Sequence, residues 1–202
     1  TPKEALKEDD TRIMKDLWKL INDADIVVAY NGEAFDIPRI NSRFIIKGFP
    51  PTKPYFSVDP CKIARKQFGF SSNKLDALAG YFGIPHKIET DFSLWDGCMK
   101  GDPESLKYMS IYNKKDVEIL EDVYIRMRPW IKGHPNVGNY SLSDKPICSA
   151  CGSFNVTELK GEYYYTSVGK YQLYKCNKCG AVSRGRKNLN EKNKIKLVSV
   201  GK

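Results

Sequence analysis

Three observations predict an α/β domain followed by a small β domain. They are a short β-branched run ending in an Asn-Gly turn, a series of capped amphipathic segments around it, and two Cys-x-x-Cys pairs near the C-terminus. The run Ile26-Val27-Val28-Ala29-Tyr30 is unbroken by charge and reads as a buried strand. Asn31-Gly32 supplies turn chemistry at its end. Phe35-Asp36-Ile37 opens the next segment, with Pro38 suited to a first helical turn. A polar loop and an acid at the C-terminal edge of a buried strand is where open α/β folds place ligands. On this stretch alone Asn31-Gly32 can equally be a plain turn and Asp36 a helix cap.

The other elements follow in order. Residues 9–23 form an amphipathic helix, with Ile13, Leu17, Leu20 and Ile21 on one face and Asp9, Asp10 and Thr11 as candidate caps. Residues 37–47 are helical, with Ile37, Ile40, Phe44 and Ile45 expected inward; Gly48 and Pro50-Pro51 stop the helix. Residues 55–58 are a second strand. Asp59-Pro60 caps a helix over 60–67, so Asp59 reads as a cap rather than as a catalytic acid. Residues 74–82 are helical, with Leu75, Leu78 and Ala79 inward, and a short helix lies around 94–99. Asp102-Pro103 starts a long helix, about 103–128, with apolar positions at Leu106, Met109, Val117, Leu120 and Val123. Tyr112 and Asp116 lie one turn apart on one face of it. Cys61 and Cys98 read as packed thiols, and neither His86 nor His134 is assigned a role. Residues 134–145 are rich in Gly, Pro, Asn and Ser and read as a linker.

The net charge of +9 is unevenly spread. Residues 144–202 carry 12 Lys+Arg against 4 Asp+Glu, whereas the preceding 143 residues carry 21 against 20. A basic tail domain on a nearly neutral body favours a polyanionic partner, nucleic acid above all. No run approaches the length of a membrane span, so no membrane role is expected. The chain begins Thr-Pro-Lys-Glu, without a signal peptide, and is expected to start inside a longer protein. Unpaired cysteine usage points to a reducing, cytoplasmic compartment of a bacterial or phage-infected cell.

Cys148-Ser-Ala-Cys151-Gly152 and Cys176-Asn-Lys-Cys179-Gly180 are separated by 24 residues. Each pair offers two thiolates to one tetrahedral Zn²⁺. Between them, residues 154–159 and 163–176 are strand-like, joined by turns at Lys160-Gly161 and Val168-Gly169. This pattern resembles a zinc ribbon, with Cys148, Cys151, Cys176 and Cys179 holding one structural zinc that supplies most of the folding energy. Tyr163, Tyr164, Tyr165, Tyr171 and Tyr174 mix with Lys170, Lys175, Lys178, Arg184, Arg186 and Lys187, combining stacking surface with phosphate-seeking charge. The last residues, 188–202, read as a basic, mobile tail.

Asn31-Gly32-x-x-Phe35-Asp36 and Tyr112-x-x-x-Asp116 resemble the second and third motifs of the DnaQ-like 3′–5′ exonucleases, in the branch with Tyr in the third motif (DEDDy). Asn31-x-x-x-Phe35-Asp36-Ile37-Pro38 and Lys74-Leu75-Asp76-x-Leu78-Ala79-x-x-Phe82-Gly83-Ile84 are also similar to the proofreading domains of B-family polymerases. The resemblance spans about residues 9–128. It implies an RNase H-like α/β fold and two-metal hydrolysis of a phosphodiester with Mg²⁺ or Mn²⁺, one ion generating hydroxide and the other stabilising the leaving 3′-oxygen. It implies that Asp116 is a direct ligand, that Asp36 holds the second ion, and that Tyr112 orients the attacking water. Asn31 and Phe35 would contact the terminal nucleotide of DNA, as single strands or 3′ ends, or of RNA. Lys114 and Lys115 would reach phosphates or be merely solvated.

The family's first motif is an Asp-x-Glu on a strand that, with two more, precedes the helix at 9–23. Glu8 and Asp10 have that spacing but no apolar run around them. The resemblance therefore implies an exonuclease domain over 1–133 lacking its N-terminal strands, a linker at 134–146, a zinc ribbon at 147–187 and the tail at 188–202. The rival expectation is a non-catalytic nucleic-acid-binding or replication and repair scaffold module that uses the ribbon, with a replication or repair protein as a further partner.

Overall fold

A computed structural model of the chain describes residues 1–85, 90–191, 194, 195, 197 and 198. His86 and part of the 188–202 tail lie outside the described residues. The chain divides into two compact units, Thr1–Met127 and Arg128–Lys202.

The first unit opens with helices α1 (Pro2–Leu6) and α2 (Thr11–Asp23), then strand β1 (Ile26–Val28), α3 (Asp36–Ile46), β2 (Phe56–Val58), α4 (Pro60–Gln67), α5 (Leu75–Tyr81), α6 (Phe92–Met99) and α7 (Pro103–Met127). β1 and β2 pair in parallel, Ile26 opposite Phe56 and Val28 opposite Val58. The strand expected over 26–30 ends at Val28, after which Ala29 N–H donates to Val58 O at 3.1 Å. Its partner ends there too, because Asp59 turns the chain into α4. Asp59 is the cap expected of it, accepting from the N–H of Cys61 and of Lys62. Asp102 likewise accepts from Ser105 N–H at the start of α7, at 2.7 Å.

The core of this unit is Ala64 from α4, Leu75, Leu78 and Ala79 from α5, and Ile119, Val123 and Met127 from α7. Tyr30 packs against the same cluster. Phe70 stacks between Phe68 and Tyr81 at its edge, with ring centroids 5.2 and 5.8 Å apart. On α2 only Ile21 of the expected apolar face is buried, Ile13 and Leu20 being exposed. On α7 and α3 two further inward expectations fail on helical phase. Val117 and Ile45 are 65% and 77% exposed. Each is turned by roughly 100° or less from the buried stripe of its helix, enough to leave it. On α7 the buried positions are Ile119, Val123 and Met127, and on α3 Phe44 alone is fully covered. Cys61 is buried as expected, its thiol toward Asn73 O at 3.7 Å.

The second unit begins with 3₁₀ turns at Arg128–Trp130 and Val137–Tyr140 and continues into an antiparallel sheet, β3 (Val156–Tyr165), β4 (Lys170–Cys176) and β5 (Val182–Arg184), in that order. The segment read as a linker is tied down here. Val137 N–H donates to Ser149 O at 2.9 Å, and the Asn136 side chain accepts from Gly138 N–H. Val168-Gly169 is the turn between β3 and β4, as expected. Lys160-Gly161 is not a turn between strands but part of an irregularity inside β3. Glu158 lies opposite Tyr174 but Tyr163 opposite Gln172, so three extra residues are looped out. The Gln172 amide fills the gap, donating to Leu159 O at 2.7 Å.

Candidate functional site

The loop after β1 is built by close approach. Asn31 takes a left-handed φ of 58°. A Cβ on Gly32 would lie 2.3 Å from Ala29 Cβ, so only glycine lets the chain fold back here. Phe35 N–H then donates to Asn31 O and Ile37 N–H to Gly32 O, which starts α3. Asp36 is the first helical residue; the N-cap is Phe35, without a side-chain cap bond. The alternative that Asp36 serves as the cap is therefore not what is seen, and the residue is exposed.

The residue that holds this loop is Asp59, which sequence reasoning left as a cap only. Its carboxylate is 4% exposed. Besides capping α4 it accepts from Asn31 N–H at 2.8 Å and Glu33 N–H at 3.4 Å. Four backbone donors thus converge on one buried carboxylate. Tyr30 anchors the loop on the other side, its hydroxyl donating to Asn73 O at 2.6 Å. Burial, chiefly, pushes the Tyr30 phenol up and keeps it a donor. Lys62 pairs with Glu33 at 2.7 Å and draws that carboxyl below its usual range. Phe35 is half exposed, and the Arg39 guanidinium carbon sits 3.4 Å from its ring centroid.

Tyr112 and Asp116 are both half-buried on α7. Positions 112, 116, 119, 123 and 127 fall on one helical stripe. Its later part, Ile119, Val123 and Met127, is buried in the core that also receives Tyr30. The strand end leading to Asn31 and the stripe leading to Asp116 thus leave the same apolar cluster. Among the described residues, however, Asp36 and Asp116 join no group of three or more metal-ligating side chains. Lys115 pairs with Glu118 at 3.2 Å.

The cysteines do form such a group. The sulfurs of Cys148, Cys151, Cys176 and Cys179 all lie within 4.8 Å of one another. Cys148 to Cys179 is 3.6 Å and Cys151 to Cys176 is 3.7 Å. A tetrahedral ion with metal–sulfur bonds of about 2.3 Å separates its sulfurs by about 3.8 Å, so the set fits one such ion. Two knuckles of one design build it. Cys148 N–H donates to Ser153 O and Cys176 N–H to Ala181 O, both 2.9 Å; Gly152 N–H returns to Cys148 O and Gly180 N–H to Cys176 O, both 2.9 Å. The two glycines have φ of 70° and 81°, the conformation each knuckle needs. Burial pushes the Cys148 and Cys179 thiols up, the latter to about 12. Burial also acts upward on Cys176, but the N–H groups of Cys179 and Lys178, with the neighbouring thiols, bring it down to about 7.

Cations and tyrosines meet on the adjoining sheet. Lys170 Nζ lies 3.7 Å from the Tyr163 ring centroid, and Arg184 Cζ 4.2 Å from that of Tyr171. His134 donates from Nδ1 to Pro135 O at 2.7 Å, since a carbonyl can only accept, and burial lowers its pKa.

Residues 3–128 match the family model described as the RNase H superfamily. A DNA polymerase III PolC-type from Ureaplasma parvum serovar 3 (strain ATCC 700970) is 26% identical over 123 residues, 60% of this chain. The chain spans only 8% of that relative's length. No solved structure matches. No described helix is long and apolar enough to cross a membrane.

Proposed function

The chain belongs to the RNase H superfamily, and from that premise we propose that its first unit hydrolyses nucleic-acid phosphodiesters as a 3′–5′ exonuclease. DNA is the substrate this reading favours, because the relative is a DNA polymerase. The observation that carries it is the shared core. The Tyr30 end of the Asn31–Asp36 loop and the Tyr112–Asp116 stripe of α7 both spring from it. In this reading Asn31 and the free face of Phe35 meet the terminal nucleotide, and Tyr112 orients the attacking water. Asp36 and Asp116 offer hard oxygen ligands suited to Mg²⁺ or Mn²⁺. Two carboxylates are too few for two such ions, and the described carboxylates form no cluster of three. The ligand set present does not by itself fit the ion pair, and further carboxylates must join it. The second unit is read as a zinc ribbon, its four thiolates filling the sphere of one structural Zn²⁺ and leaving no open position for chemistry.

The test is digestion of a 5′-labelled single strand in Mn²⁺ by a protein in which those further carboxylates are present. Shortening from the 3′ end, lowered by orders of magnitude in Asp36→Ala and in Asp116→Ala, is expected. Equal digestion by wild type and both variants overturns the assignment. The missing third carboxylate favours a second reading, a nucleic-acid-binding or replication and repair module without catalysis. Salt-sensitive binding with neither digestion nor Mn²⁺ uptake selects it.

A further inference from the structure

The sheet of the second unit has two unlike faces. Cross-strand partners share a face and successive residues alternate. Tyr164 lies opposite Tyr171, Leu173 opposite Arg184, and Lys175 opposite Val182. These six residues therefore occupy one face. At its paired positions the ionic residues, Arg184 and Lys175, are both cations, and none of these positions holds a carboxylate. The opposite face carries Glu158, Tyr174 and Cys176, and it is there that the metal-ligating cysteine enters.

On the first face the aromatic groups are already in place. A Cβ at Gly169 would lie 2.5 Å from the Tyr171 ring, so the ring rests on bare backbone. Arg184 covers that ring at 4.2 Å and reaches toward Tyr164, 5.8 Å from its centroid. Its Nη1 donates to Gly185 O at 3.2 Å, and among the described residues no carboxylate lies within ion-pair distance of it. Tyr164 is 48% exposed and Val182 56%. A guanidinium held by a ring rather than by an acid keeps its charge available to a phosphate. An exposed tyrosine beside it offers a stacking platform that any base can use.

We propose that this face binds single-stranded nucleic acid, with a base stacked on Tyr164 and phosphates met by Arg184 and Lys175. The proposal rests on the reading that the chain works on nucleic acid, and it concerns binding rather than cleavage. A duplex would offer its phosphates but keep its bases stacked on each other, so Tyr164 makes the face selective for single strands.

The experiment is fluorescence anisotropy of labelled oligothymidylate with the full zinc-loaded chain, without Mg²⁺ or Mn²⁺ so that turnover does not enter. Tyr164→Ala should weaken binding between about fivefold and a hundredfold, and Tyr164→Phe should bind as wild type does. Arg184→Gln should reduce the salt slope by about 0.7. Tyr165→Ala, on the opposite face, should leave affinity unchanged. Zinc content checks that each variant is folded. Equal affinity for duplex and single strand, an equal loss in Tyr165→Ala, binding insensitive to salt, or no binding each overturns the proposal. Failure here together with intact 3′ digestion leaves the exonuclease reading standing. Loss of digestion in a chain that still binds removes that reading alone.

Discussion

The two units hold themselves together by different means. The first buries Leu78, Ile119, Val123 and Met127 between three helices, an apolar core assembled from segments up to 63 residues apart in the chain. Among its described residues the second has nothing comparable. Its buried cluster is Cys148, Ala150, Cys176 and Ala181, two thiols and two methyl groups. So little apolar area cannot offset the ordering of a three-stranded sheet. If the four thiolates hold zinc as proposed, its ligation supplies the difference in the second unit. The comparison also separates two kinds of metal chemistry. The soft-donor site is made by two short knuckles, each closed by its own backbone hydrogen bonds. Asp36 and Asp116, proposed as hard donors, sit on separate helices, α3 and α7, and form no such cluster among the described residues.

The largest expected effect breaks this comparison most directly. Stripping the metal with a strong chelator, or replacing Cys176 with Ser, should unfold the second unit, since metal ligation of this kind contributes about 10–16 kcal/mol. Circular dichroism should keep the helical signal of the first unit, while amide resonances of residues 148–184 collapse to random-coil positions. Dispersed resonances for β3 and β4 in the chelated protein would show that the sheet stands on its own.

The same contrast explains what could be read from the sequence. The cysteine knuckles were legible because their ligands lie three residues apart and their glycines follow at once. Asp59-Pro60 and Asp102-Pro103 were legible because a cap acts on donors two or three residues away. Asp59's hold on Asn31 was not, because the partner is 28 residues distant and a parallel strand pair must form first. Ile45 and Val117 were misplaced because a plausible apolar residue adjacent to a buried stripe cannot be told from a member of it until the packing partner fixes the phase. Lys160-Gly161 looks like a hairpin turn, and only Gln172 on the facing strand makes it an irregularity inside one strand. The linker reading of residues 134–145 rested on composition, which does not reveal the Val137 hydrogen bond to Ser149.

A smaller effect sharpens the comparison within the first unit. Asp59 does for the Asn31 loop what the cysteine sulfurs do for their knuckles, drawing backbone N–H groups onto one side chain. Asp59→Ala should cost about 2–4 kcal/mol, because it removes a cap and leaves buried donors without an acceptor. Asp59→Asn should recover more than half, since the Asn31, Cys61 and Lys62 donors all meet Oδ1 and only Glu33 uses Oδ2. Urea unfolding gives the stability. Hydrogen exchange at Asn31 and Glu33 separates loop release from loss of the α4 cap. Equal stability of Ala and Asn variants would make the clamp irrelevant.

The smallest effect concerns the surface of the first unit, where charge replaces the apolar contacts of its core. Arg43 grips Asp10 with two bonds of 2.6 and 2.7 Å, and Lys47 approaches it at 3.1 Å, tying the start of α2 to α3. Chiefly through the Arg43 hydrogen bonds, the Asp10 carboxyl is held at about 2 against an ordinary 3.8. A depressed carboxyl stabilises the fold above its ordinary value, and that contribution is lost as pH falls through 3.8 toward 2. Both partners are solvated, so screening keeps the effect small and salt reduces it further. Asp10→Asn should lower the unfolding temperature of the first unit by about 1–3 °C at pH 6, and the gap to wild type should close near pH 2. Acid would also release a metal held by the second unit, so the measurement must follow the first unit alone, through the circular dichroism of its α-helices. A gap that persists at pH 2 would mean that Asp10 acts through packing rather than through its charge.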